Sequence, residues 1–497
     1  MEHDNYILEI LGLDFRQDVE PLIKEFFPED SSGLKITIKA EKEDFSLRTV
    51  LAGEKTSKEE SVEEKVIFTS DTDEKIRHRD YRNQLLRALY RALGSITGKE
   101  LPWGILTGVR PTKLLFERIS RGEGRPLQFM KEKYYCSEPK ASLAARIAAK
   151  EYQLLEKIDY RNGYSLYVGI PFCPSICNYC TFGSHPIGRF ADLVEPYIEA
   201  LIKEIRAVSA VSSDRGSSEG SIARMVRERK LETIYFGGGT PTSLEADQLR
   251  RIIRCVKDNF DLSGTVEFTV EAGRPDSITE DKLQMLKEEG VGRISINPQT
   301  FSDKTLEIVG RNHSSAQIFK AFEMARKCGF DNINMDLIAG LTGETEEDFA
   351  HTLECVRQID PECLTVHTLA RKRAARITTQ PELYEGYFSG GVQKMLELAD
   401  IYTKECGYEP YYMYRQKNMT DNLENVGYSK PGKECLYNIL IMEEVQPILA
   451  VGAGASTKYV RDTSGRFGRI ENCKNVREYV TRIDEMIARK SDEQIYG

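Results

Sequence analysis

Three cysteines, Cys173, Cys177 and Cys180, form a Cys-x3-Cys-x2-Cys cluster just after an apolar run from Leu166 to Phe172. The spacing brings three thiolates, and no fourth, to one short loop. A cubic [4Fe–4S] cluster needs a ligand on each iron, and cysteine is its usual donor. Three donors leave one iron open to chelation by the amine and carboxylate of S-adenosylmethionine. An electron passed from such a cluster cleaves the sulfonium and releases a carbon radical, chemistry that belongs to the cofactors rather than to the polypeptide. Tyr179, just before the last cysteine, is suited to hold an adenine ring close by. Other readings stay open at this stage. His185 would complete a Cys-x3-Cys-x2-Cys-x4-His set for tetrahedral zinc. A disulfide framework is disfavoured, because the eleven cysteines are odd in number, scattered, and follow no secretory signal.

Elements must position these thiols. From Ser165 onward, short apolar segments alternate with amphipathic ones. The spacing predicts strands at Ser165–Ile170, Thr233–Phe236, Val266–Val270, Arg293–Ile296, Ile333–Ile338 and Leu364–His367. Helices are expected at Leu193–Val208, Ala246–Asn259, Thr279–Glu289, Ser315–Cys328 and Thr345–Gln358. Strand alternating with helix implies parallel strands with right-handed crossovers. The fold class is therefore α/β, a partial (β/α)6 barrel over residues 161–380 with its chemistry at the C-terminal strand ends. Residues 207–221, rich in Ser and Gly, read as a flexible insertion in the first helix-to-strand connection.

Each strand end carries polar or conformationally free residues. Gly237-Gly238-Gly239-Thr240 follows the second strand, where backbone can approach a methionyl amine without a Cβ in the way; alone, it is also an ordinary turn. Glu271 suits a ribose hydroxyl or an ammonium, or is a plain strand-end carboxylate. Gln299 and Arg311 offer an amide and a guanidinium to a carboxylate, although Arg311 alone would also suit a surface ion pair. Asp336 lies in so apolar a run that a polar partner at the strand's mouth is expected. After the sixth strand come His367 and the cations Arg371, Lys372, Arg373 and Arg376, open to substrate carboxylates or to solvent. A later stretch, Tyr411–Met419, mixes aromatics with Arg415 and Lys417 and is suited to close over a flat acidic ligand.

The chain has 497 residues, 40% hydrophobic and 30% charged, enough for two or three domains. Residues 1–160 read as an α+β accessory domain, and residues 381–497 as a C-terminal extension covering the substrate. In the first, Leu34–Ala40 and Val66–Ser70 are expected strands, Phe45–Leu51 a weaker one, and Glu54–Glu64 a charged connection. Tyr81–Leu93 carries one apolar helical face. No apolar stretch is long enough for a membrane span, and a net charge of −9 argues against a general nucleic-acid surface. The acidic N-terminus carries no signal peptide, so a reducing, cytoplasmic setting is expected.

These motifs, IPFCPSICNYCTF, YFGGGTPT, RISINPQTF, NMDLIAGL and VHTLARKR, resemble the radical S-adenosylmethionine superfamily. The chain is most similar to the oxygen-independent coproporphyrinogen III dehydrogenase family, in its longer Gram-positive type with an extra N-terminal domain. The resemblance covers about residues 163–460. It implies a radical-SAM barrel with a [4Fe–4S] cluster on Cys173, Cys177 and Cys180. Contacts to S-adenosylmethionine are implied for Tyr167, Tyr179, Gly238, Gly239, Thr240, Glu271, Gln299, Arg311 and Asp336. The implied reaction is oxidative decarboxylation of two propionates of coproporphyrinogen III to vinyls, giving protoporphyrinogen IX. A 5′-deoxyadenosyl radical would abstract a propionate β-hydrogen, followed by loss of CO₂ and one electron. Lys372, Arg373, Arg376, Arg415 and Lys417 are expected on the substrate, and an electron donor is expected as partner. Two departures bear on this. Phe182 stands where the dehydrogenases have a further cysteine, the pattern of the related heme chaperones. Yet the chaperones' C-terminal His-Asn-x-x-Tyr-Trp motif is replaced by Tyr437-Asn438-Ile439-Leu440-Ile441-Met442, without the histidine or the final aromatics. The alternatives are a heme chaperone, with His367 and Met442 as candidate ligands, or a radical enzyme acting on another tetrapyrrole.

Overall fold

The computed structural model describes residues 6–27, 33–52, 57–70, 72–108, 110–181, 184–210, 221–370, 375–380, 391–415, 423–460 and 467–491. The chain divides into two compact units, residues 1–149 and 150–497.

The first unit holds a four-stranded sheet of β1 (Tyr6–Gly12), β2 (Leu34–Ala40), β3 (Asp44–Ala52) and β4 (Ser57–Lys65), in that order. Alternation builds its core: Leu34, Ile36, Ile38 and Ala40 are buried, while Lys35 and Lys39 between them are exposed. The helix Glu74–Thr97 packs there, capped by Asp73, which accepts from the amides of Lys75 and Ile76. Two expectations fail here. Most of Glu54–Glu64 is not a connection but the edge strand β4, whose charges keep its open side soluble; Glu59 pairs with Arg48 at 2.7 Å across the ladder. Val66–Ser70 is not a strand, because past Val66, whose amide donates to Glu43 O, its polar groups bond the helix instead. Ile67 N donates to Gln84 Oε1, and Thr69 donates twice to the buried Asp80. Strand β1 and the helix Arg16–Phe26 carried no expectation.

The second unit contains β5 (Gly163–Ile170), the short pair β6 (Phe172–Cys173) and β7 (His185–Pro186), β8 (Lys230–Gly238), β9 (Glu267–Gly273), β10 (Arg293–Ile296), β11 (Ile333–Ala339) and β12 (Cys363–Thr368). It continues through β13 (Glu409–Tyr414), β14 (Asn425–Ser429), β15 (Ile448–Val451), β16 (Ser456–Val460) and β17 (Phe467–Glu471). The large sheet runs β13-β14-β12-β11-β10-β9-β8-β5-β15-β16-β17. Each of the six expected strands is present, and neighbours from β5 to β12 pair in parallel. The expected helices are seen at Ala191–Ala210, Ala246–Asn259, Glu280–Glu288, Ser315–Lys327 and Glu346–Ile359. The last begins where Thr345 and Asp348 close a reciprocal capping box. The 207–221 stretch is helical to Ala210 and again from Ser221; residues 211–220 lie outside the described set.

The C-terminal residues join the same sheet, which local pattern did not reveal. β15 adds a seventh parallel strand beside β5, while β14 runs antiparallel beside β12 and β13 antiparallel beside β14. No helix among the described residues is long and apolar enough to cross a membrane.

Candidate active site

The cysteine loop is held from three sides. From β8, Gly239 N donates to Ile170 O and Thr240 N to Phe172 O, each at 2.7 Å. From the turn after the helix Asp303–Ile308, Val309 O accepts from Asn178 N (3.0 Å) and Ile308 O from Asn178 Nδ2 (2.7 Å). From β9's end, Arg274 Nη1 donates to Ser175 O (3.0 Å) and Oγ (2.7 Å), while its Nε and Nη2 grip Asp276. Asn178 and Arg274 are positioning residues that the sequence did not single out; both are more than nine-tenths buried.

The three thiols line a cavity of about 350 Å³ with Tyr179, Gly238, Gly239, Thr240, Glu271, Gln299, Arg311 and Asp336. Thr240 Oγ1 donates to Cys173 Sγ at 3.5 Å, and Arg311 Nη1 reaches Cys177 Sγ at 3.7 Å and Tyr179 Oη at 3.2 Å. Burial pushes the Cys173 thiol up, opposed by the Thr240 hydroxyl. His185 does not line this cavity; its ring packs edge-on against Phe190 at 4.7 Å. Among the described residues no three His, Cys, Asp or Glu side chains meet at single-ion distance.

A resident group fits on two observations. A Cβ at Gly239 would stand 2.5 Å from Phe172 O and 2.9 Å from Ile170 O, and one at Gly237 would stand 3.1 Å from the Glu271 carboxyl. The glycines therefore let this loop lie directly on the cysteine run. Buried polar atoms beside the thiols also lack a protein partner: Asn297 Oδ1, Gln299 Oε1 and Arg311 Nε. Gln299 itself has φ 71°, the left-handed region that a glutamine rarely adopts, and backbone bonds to Asp336 O and Ile338 N hold it there. We expect Gly239→Ala, by displacing the loop, to lower retention of a reconstituted cluster by about 10- to 100-fold. Iron and sulfide per chain measure it, with Gly292→Ala, where a Cβ meets nothing, as the neutral control.

Carboxylates sit further along the wall. Tyr235 Oη donates to Glu271 Oε1 at 2.6 Å, yet burial pushes the Glu271 carboxyl up to about 7. Burial also works to raise Asp336, but His367 and Asn334 outweigh it and hold the group below its ordinary range. Asn334 Nδ2 donates to Asp336 at 2.7 Å, and His367 Nε2 lies 3.8 Å away. Tyr167 stacks with Tyr235 and Tyr437, with its hydroxyl 3.2 Å from where a Gly238 Cβ would be. Tyr437 is therefore core packing, while Asn438 and Met442 one turn on line the cavity with His367.

The expected substrate cations are dispersed. Arg376 is exposed and donates to Gln380, and Arg415 is buried; neither lines the cavity. Lys372, Arg373 and Lys417 lie outside the described residues, as do Arg371 and Phe182.

Parallel strands, a three-thiol loop after the first and glycines after the second define a radical S-adenosylmethionine protein, and residues 167–356 match the Radical SAM superfamily. Its resident groups are a [4Fe–4S] cluster and S-adenosylmethionine. The chain is 39% identical over 433 residues to the oxygen-independent coproporphyrinogen-III oxidase-like protein HemZ of Bacillus subtilis, covering 86% of this chain and 83% of that one. It belongs to that oxidase-like family. It is also 39% identical over 209 residues to the Bacillus subtilis heme chaperone HemW, covering 41% of this chain and 50% of the chaperone. Among solved structures, the Escherichia coli coproporphyrinogen III oxidase HemN shares the fold, with a TM-score of 0.51 at 24% identity over 68% of this chain and 73% of that one.

Proposed function

We propose that the protein is an oxygen-independent coproporphyrinogen III dehydrogenase, converting two propionates to vinyls with loss of CO₂. The observation that carries it is one cavity lined by three thiols, unpartnered carboxylate-binding groups and the Glu271 and Asp336 carboxyls; the oxidase-like relatives support the substrate. Cys173, Cys177 and Cys180 would hold the cluster, and the glycine loop, Gln299 and Arg311 the methionyl end of S-adenosylmethionine. Glu271 and Asp336 would take its ribose and Tyr179 its adenine. When bound, these groups supply a carbon-centred radical able to remove a substrate hydrogen. The chain's own part is to keep the donors aimed inward: Asn178 and Arg274 fix the loop, and Tyr235 orients the Glu271 carboxyl. Arg376, with Lys372, Arg373 and Lys417, is a candidate for outer substrate carboxylates, and Arg415, buried away from the cavity, is not. We place the enzyme in the cytoplasm, with a one-electron donor as partner and, at a net charge of −9, no nucleic acid.

The test is anaerobic turnover of reconstituted protein with S-adenosylmethionine, a reductant and coproporphyrinogen III. Protoporphyrinogen formed together with 5′-deoxyadenosine is the expected result. Cleavage of S-adenosylmethionine with the porphyrinogen untouched would overturn the substrate assignment. Stoichiometric heme binding in its place would favour the chaperone reading, in which His367 and Met442 face the same cavity.

A further inference from the structure

The cavity has a second storey, below the groups assigned above. Along β10 and its continuation, every second residue, Arg293, Ser295, Asn297 and Gln299, lines the cavity, while Ile294 and Ile296 point away and are fully buried. All four inward residues carry a buried polar atom without a protein partner: Arg293 Nε and Nη2, Ser295 Oγ, Asn297 Oδ1 and Gln299 Oε1. The upper two stand beside the thiols. A strand rises about 3.3 Å per residue, so Arg293 lies roughly 13 Å of strand away from Asn297, inside the barrel.

Arg293 is 3% exposed. A guanidinium brought so far out of water is costly unless an anion meets it. Among the described residues it makes no ion pair. Two carboxylates act on it. Glu267 is occupied with the start of the helix Leu436–Glu443, where Leu436 N donates to it at 2.6 Å and Tyr437 N at 3.3 Å, and Glu271 accepts from Tyr235 Oη. The other titratable groups around Arg293 are the Cys363 and Cys435 thiols, Tyr235 and Tyr411. Cys363 donates to Lys433 O and Cys435 to Glu267; the Cys363 sulfur also accepts from the guanidinium, whose Nε and Nη2 are left without a partner. Two N–H groups of a planar fork, with a hydroxyl one inward residue above, match the two oxygens of a carboxylate.

We propose that Arg293 and Ser295 form a carboxylate subsite in the barrel interior that receives one carboxylate arm of the substrate, distinct from the carboxylate position at Gln299 and Arg311. The inference rests on the tetrapyrrole reading above and deepens it. Tyr235, Tyr412 and Thr365 also line the cavity.

The test uses the full-length protein and coproporphyrin III, the oxidised fluorescent tetracarboxylate, titrated by fluorescence. S-Adenosylmethionine binding is measured in parallel by equilibrium dialysis on the reconstituted protein. Arg293→Gln is expected to weaken porphyrin binding by about 10- to 100-fold while S-adenosylmethionine binding stays within about twofold. Arg293→Lys, which keeps the charge but loses the fork, is expected to recover part of the loss. Ser295→Ala, a small change that preserves the strand, is expected to weaken porphyrin binding by about 3- to 10-fold. Unchanged porphyrin binding in both Arg293→Gln and Ser295→Ala would overturn the subsite while leaving the tetrapyrrole reading intact. An equal loss of S-adenosylmethionine binding would also overturn it, by assigning Arg293 to the cofactor. No porphyrin binding by the unsubstituted protein would overturn the tetrapyrrole reading, and the subsite with it.

Discussion

Cys177→Ala is expected to bring reductive cleavage of S-adenosylmethionine down to the background of the reductant alone, a loss well beyond about 100-fold. Removing an outer-shell partner of a metal site typically costs 10- to 100-fold in metal affinity or activity, and a direct ligand costs more. Cys177 is the most enclosed of the three thiols, and Arg311 Nη1 points at its sulfur from 3.7 Å. Alanine there leaves two donors in a loop whose backbone is already fixed by Asn178, Arg274 and the glycine turn, so no other thiol can swing in. Cys363 and Cys435 are committed elsewhere in the sheet. The measurement is 5′-deoxyadenosine released per chain under anaerobic reduction, with iron and sulfide content alongside. Cys328→Ala, outside the cavity, should behave as the unsubstituted protein. Retained cleavage in Cys177→Ala would sink the assignment of the cluster to this loop.

Arg311→Lys is expected to weaken S-adenosylmethionine binding by about 10- to 100-fold with the cluster retained. The Arg311 side chain is buried and its Nη1 and Nη2 are spent on Tyr179 Oη, Cys177 Sγ and Asn297 O. Its Nε has no protein partner, and Arg311 lines the cavity together with Gln299. A hydrogen bond to a charged group contributes about 1.5–3 kcal/mol. Lysine keeps the charge that the buried site tolerates but cannot present a second, fixed donor. Equilibrium dialysis gives the affinity, and the absorbance of the reconstituted cluster shows whether its ligands survived. Unaltered affinity in a cluster-bearing variant would remove Arg311 from the cofactor site. Loss of the cluster itself would instead make Arg311 a support for Cys177.

Much of this site was legible along the chain because its signals are local. Three thiols within eight residues, a triple glycine at a strand end and an Asp in an apolar run are each read from one short segment. The parallel strands were legible for the same reason: β-rich segments alternating with helical period admit few topologies. The reading weakened where local pattern and tertiary role diverge. β4 looks like a linker because an edge strand must carry charge, and Val66–Ser70 looks like a strand although the bonds it makes are to a helix. The cations after β12 drew attention by their density, yet Arg376, the member of that run among the described residues, faces solvent and does not line the cavity. Arg293 drew none, since an arginine opening a strand reads as a surface residue.

By itself the sequence determined the three-thiol loop, the strands that carry it and the chemistry that three thiols with one open position permit. Those are properties of residue type and spacing. Only the tertiary structure decided which polar groups share a cavity and which have no partner. Asn297 and Arg293 are unexceptional until the sheet brings them to one cavity with Gln299 and Arg311. The same folding sends Tyr437 into a stack with Tyr167 and Tyr235 rather than toward a ligand. The physical reason is burial: the cost of an unpaired polar group is set by what surrounds it, and those surroundings come from strands more than a hundred residues apart.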